Sequence, residues 1–222
     1  MGNSHWRQAY ITKVPPIMMR DPFLELFGQI DAPIPYTYEE AVKLSGHSCG
    51  AISGAWIMTR KALEILYPNE VPVRGQIKIT APGAEDEWIV GVFGEVIGYV
   101  TGAAPKTGFP GSEFGKAYNR RNLMLYAEEF SHTPPATMAW LFERLDNGSR
   151  VAIQYDVRKV LPPATPERNT MSAKMAQGMA TPDEAKDWIA YWNARAAFVF
   201  DNADTLPDFF KVEVLNKSNT ST

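Results

Sequence analysis

The sequence predicts an α+β fold, a mixed or antiparallel sheet packed with helices and followed by a helical C-terminal extension. Three observations predict it. Apolar residues recur at helical spacing over 49–67, an alternating segment covers 73–80, and the apolar stretch 88–101, open to helix or strand, carries glycines at helical spacing. Trp140, Phe142 and Val151, Ile153, Tyr155 flank Asp146-Asn147-Gly148, a strong hairpin signal. A last helix opens at Thr181-Pro182-Asp183-Glu184, where Thr181 can cap, Pro182 suits the first position and the acids favour the positive end of the dipole. Helices between strands early, with hairpins later, give α+β rather than a parallel doubly wound sheet.

The elements follow in order. Residues 1–35 are rich in proline and aromatics, a composition that wraps a body but does not fold alone, with one or two helical turns at Asp21 to Phe27. Thr37 and Glu40 have capping-box spacing and start a short helix that stops near Gly46. The second helix carries Ile52, Trp56, Thr59, Leu63 and Leu66 on one stripe and ends at Pro68. Its opening is small (Gly50, Ala51, Ser53, Gly54, Ala55), which serves either close packing or room for a ligand. Val73 to Thr80 reads as a strand with one wet face. Gly91, Gly94 and Gly98 line up at helical spacing and favour a close-packed helix over a strand for 88–101. A glycine-rich loop covers 107–116, and 123–126 reads as a short strand. The main domain thus spans 36–160, a linker marked by Pro162, Pro163 and Pro166 leads to the C-terminal helix within 161–215, and 216–222 reads as a frayed tail.

Composition bounds the function. The chain of 222 residues is long enough for a substantial core, and 45% hydrophobic with 21% charged residues is ordinary globular usage. A net charge of −3 gives no long-range attraction to nucleic acid or an anionic membrane. The longest apolar stretch, Trp88 to Ala104, is interrupted by Glu95 and glycines and falls short of a membrane span. The single cysteine cannot close an intramolecular disulfide, which fits a reducing, cytoplasmic setting.

The chemistry-bearing feature is Ser45-Gly46-His47-Ser48-Cys49-Gly50, which sets a histidine two residues from the only cysteine on a turn that enters a helix. A helix N-terminus and a neighbouring imidazole both favour thiolate. Thiolate and imidazole are also good ligands for zinc and other transition metals. The alternative is a buried structural cysteine beside a histidine bonded to backbone.

Gly46-His47-Ser48-Cys49-Gly50, followed by the small-residue helix and Arg60, resembles the Gly-His-x-Cys-Pro-Gly motif of the FmdE-like domain family of formylmethanofuran dehydrogenases. Glu85-Asp86-Glu87 before the glycine-rich helix, Thr101-Gly102-Ala103-Ala104, and Gly115 through Leu123 fit the same order, so the resemblance covers about residues 36 to 127. It implies an α+β homodimer with a metal held by His47 and Cys49. Ser45 stands where the family has its first histidine and Gly50 where it has proline. Gly83 and Ala103 stand at or beside family cysteines, so the chain offers one thiolate at most.

Closed structural zinc needs four ligands, so two candidate donors leave coordination positions for water, a carboxylate or a small-molecule substrate. Asp86 or Glu87 completes a metal site, or serves as a general acid or base beside one, or belongs to a solvated helix start. His132 is a candidate third ligand across a dimer, or a surface residue. Lys116, Arg120 and Arg121, beside the glycine-rich loop, could hold an anionic group; with Cys49 or His47 as axial ligand they could also hold haem propionates. The expected function is metal binding, zinc first, with or without catalysis on a small substrate; the alternatives are a non-catalytic carrier, haem being its cargo, and a purely structural homodimer.

Overall fold

The computed structural model describes residues 5–126 and 137–216. The α+β expectation holds. A five-stranded sheet has the order β4-β3-β5-β6-β7, with β3 Ile77–Thr80, β4 Met124–Leu125, β5 Thr137–Arg144, β6 Arg150–Asp156 and β7 Phe210–Leu215. All pairs are antiparallel except β3 with β4. The β5–β6 hairpin turns where Asp146-Asn147-Gly148 indicated, with Gly148 at φ 68° and the Asn147 side chain accepting from the Ser149 amide.

The central helix α4, Gly50–Leu66, packs against β6, against α5, Trp88–Thr101, and against α7, Pro182–Asn202. Trp56, Met58, Leu63, Ile79, Val96, Trp140, Phe142 and Ile153 fill one continuous core. Helix α3, Tyr38–Ser45, has both halves of its Thr37–Glu40 capping box and ends at Gly46 with φ 73°. The segment Trp88–Thr101 is a helix, and its glycines admit neighbours: a Cβ at Gly94 would meet the Tyr126 hydroxyl at 2.2 Å.

The N-terminal segment does wrap the body, but with more structure than one or two turns. It holds α1, Tyr10–Lys13, a two-stranded ribbon of β1, Ile17–Met19, with β2, Ile34–Tyr36, and α2, Pro22–Leu26. Asp21 caps α2 and is buried against Arg120 at 2.8 Å and Arg74 at 3.2 Å, so one carboxylate ties the wrap to two distant loops.

Residues 161–215 hold more than the expected linker and single helix. A helix α6, Pro166–Ala176, starts inside the proline cluster, with Thr165 as cap and Pro166 in its first turn. After α7 the chain returns as β7, whose Phe210-Lys211-Val212-Glu213-Val214 alternation pairs with β6. The expected tail lies outside the described residues beyond Asn216. No helix among the described residues is long and apolar enough to cross a membrane.

Candidate functional site at the start of α4

The turn from Gly46 to Gly50 is held on every side. The Ser48 hydroxyl takes part in hydrogen bonds with Tyr38 at 2.6 Å and Tyr10 at 2.9 Å. Trp192 of α7 donates from its indole nitrogen to the Ser48 carbonyl at 3.0 Å, and Tyr155 of β6 donates to the Gly50 carbonyl at 2.8 Å. Ser45 donates to the His47 carbonyl at 2.9 Å. The small opening of α4 is explained in part by Tyr155, whose ring stands where a Cβ on Gly54 would lie, at 2.3 Å. Sheet, wrap and C-terminal helix thus converge on one bend of backbone.

That bend places His47 and Cys49 close enough for each to act on the other's protonation. His47 Nδ1 donates to the Ser45 carbonyl at 3.1 Å, which leaves Nε2 as the basic ring nitrogen. Cys49 is the N-cap of α4, next to the amides that its first turn leaves without intrahelical partners. Burial pushes the thiol up, but the His47 hydrogen bond, the Ile52 and Ala51 amides and the imidazolium charge outweigh it, and the thiol falls below its ordinary value. The same contact raises His47, with burial opposing. Each group thus stabilises the charged form of the other.

Cys49 opens into a cavity of about 230 Å³ between α4, α6 and α7. Its walls are apolar at Ala51, Ile89 and Val157 and aromatic at Tyr191 and Trp192, and Trp192 stacks on Trp188 at 5.3 Å. Arg168 and Arg195 also face it.

The other sequence candidates lie apart from this pair. Among the described residues no three His, Cys, Asp or Glu side chains gather into a metal-holding group, so neither Asp86 nor Glu87 joins His47 and Cys49. Glu87 instead accepts from the Ala84 amide at 3.0 Å and closes the loop before α5, while Asp86 is exposed. Arg120 is buried on Asp21 and lines a different hollow, of about 350 Å³, that Glu85, Glu95 and Arg74 share. Lys116 and Arg121 are exposed. His132 lies outside the described residues, and His5 is exposed on the N-terminal segment.

Trp192, Arg195 and Arg168 are functional candidates that the sequence does not single out. The only local signal is the i,i+4 spacing of Trp188 and Trp192 on α7.

No family model matches this sequence, and no curated protein matches it.

Proposed function

We propose that the chain binds a thiophilic divalent transition metal, zinc first, through Cys49 Sγ and His47, in an open site beside a small-molecule cavity. One observation carries the reading: a single turn brings Cys49 beside His47, whose Nδ1 is tied to the Ser45 carbonyl so that Nε2 is the nitrogen available as a ligand when the ring is neutral. The donor chemistry fits zinc, since a soft sulfur and a borderline nitrogen are both its ordinary ligands. Two donors do not make a closed structural site. The remaining positions belong to water, to a substrate or to a second copy of the chain, as the FmdE-like resemblance implies. A bound metal supplies Lewis acidity and an activated water. The protein's own part is to keep sulfur deprotonated, to fix the imidazole tautomer and to shelter one side of the site with the Trp192 ring.

Haem is the weaker reading. The cavity is smaller than the ~300 Å³ at which drug-sized ligand pockets begin, and Arg120 is engaged by Asp21 away from it.

Metal analysis of untagged protein tests the proposal. Near-stoichiometric zinc is expected, with strong loss in both His47→Ala and Cys49→Ala and a retained fold. A folded wild type that takes up no divalent metal, or full metal content in both variants, overturns it.

A further inference from the structure

We infer that the cavity beside Cys49 takes a small organic carboxylate, its anionic end on Arg195 and its other end directed at the reactive centre. This rests on the reading of His47 and Cys49 as that centre and adds the class of substrate.

The charge of the walls is one-sided. Two guanidinium groups line the cavity, and no Asp or Glu among the described residues does. The two arginines differ. Arg168 is bound to Asp187 on the outer side and lies over the Tyr191 ring at 4.6 Å, so its charge is matched. Arg195 lies over the same ring at 5.7 Å but has no carboxylate partner among the described residues. Its Nη1 donates to the Val160 carbonyl at 3.2 Å and to the Pro162 carbonyl, and the described residues supply no acceptor for Nε or Nη2. A guanidinium with an open edge is the side chain best shaped to take a carboxylate.

Position and size fit as well. Arg195 and Cys49 both line the one cavity, from α7 and from the start of α4. Their shared cavity of about 230 Å³ suits a ligand below drug size, and the Tyr191 and Trp192 rings suit a flat, apolar body. The hollow of about 350 Å³ at Arg74 and Arg120 does not have this character, because Glu85 and Glu95 line it too.

The single cysteine makes the test direct. Chelator-treated protein is alkylated with iodoacetate or iodoacetamide, the C–S bond forming as iodide leaves. The reagents differ in carboxylate against amide, so the ratio of their rate constants cancels the thiolate fraction. The expected ratio exceeds that of N-acetylcysteine by about ten-fold or more, the scale of a charge-assisted hydrogen bond. It falls to the free-thiol value in Arg195→Gln and is partly kept in Arg195→Lys. On the wild type alone, benzoate protects Cys49 with saturation and benzamide does not. A wild-type ratio within about two-fold of N-acetylcysteine's, or one unchanged in Arg195→Gln, overturns the inference. An anion preference in a protein that takes up no metal upholds the carboxylate site and removes the metal reading. Metal uptake without the preference does the reverse.

Discussion

Two regions of the molecule concentrate buried polar chemistry, and they do opposite things with it. At Asp21, one carboxylate meets two guanidinium groups, and the excess charge is offset within the fold: Arg74 also donates to the Tyr99 carbonyl and lies 5.1 Å from the Tyr36 ring, while Arg120 lies 5.8 Å from the Phe23 ring. At the start of α4 the bracing is as dense, but it ends at backbone carbonyls and at the Ser48 hydroxyl. The thiol, the imidazole and the Arg195 edge keep capacity for something outside the chain. A carboxylate shared by two arginines makes an anchor, whereas a guanidinium without a carboxylate beside a cavity is what the proposed site rests on.

Breaking the anchor has the largest expected effect. Asp21→Ala strands two arginines with side chains 16% and 7% exposed, and is expected to cost about 3–5 kcal/mol by chemical denaturation. The same carboxylate gives a pH signature. Burial raises Asp21, but Arg120, the Phe23 amide and Arg74 bring its folded-state value below the ordinary one. Its contribution is therefore complete above the unfolded value of about 4 and lost as pH falls through the folded value. Wild type is expected to lose stability more steeply than Asp21→Asn as pH drops below about 4.

The bracing of the site comes next. Gly54→Ala drives a methyl into the Tyr155 ring, which Phe210 stacks against at 4.8 Å, and is expected to cost ~1–3 kcal/mol despite the better helix propensity of alanine. Ser48→Ala leaves the fully buried Tyr38 hydroxyl without its partner, for about 1–2 kcal/mol and a lower Tm. Both are also expected to slow Cys49 alkylation through the displaced turn, whereas Asp21→Asn leaves its rate unchanged in folded protein.

The smallest stability effect and the sharpest functional one fall on His47. His47→Gln is expected to change stability by less than about 0.5 kcal/mol, since the residue is exposed. The pH profile of Cys49 alkylation moves to higher pH in that variant, because the partner that holds the thiol down is gone.

Much of this is legible in the residues. The capping box at Thr37, the stripe of α4, the Asn147-Gly148 turn and the Thr181-Pro182 start are local signals, and local signals survive folding. Helix α6 is hidden because its prolines read as a linker, although Thr165-Pro166 has the same cap and first-turn grammar as Thr181-Pro182. Strand β7 carries a clear alternation that the long helix before it overshadows. The turn holding His47 and Cys49 is visible as a motif, and the two residues stay close enough to act on each other's protonation. Its cavity is not visible, because Arg195 and Trp192 reach it from more than 140 positions away (Trp192 Nε1 to the Ser48 carbonyl spans 144) through tertiary packing that no local pattern encodes. Asp86 and Glu87 stand out as an acidic run, yet local backbone satisfies Glu87 and solvent satisfies Asp86.

Cobalt(II) substitution followed by electronic absorption is the most direct measurement, because a thiolate-to-cobalt charge-transfer band reports sulfur on the metal. A band that saturates with one equivalent of cobalt, vanishes in Cys49→Ser and weakens or shifts in His47→Ala is the predicted result. Saturating cobalt that leaves the near-ultraviolet spectrum of the folded wild type without such a band would contradict the claim that these two side chains share an ion.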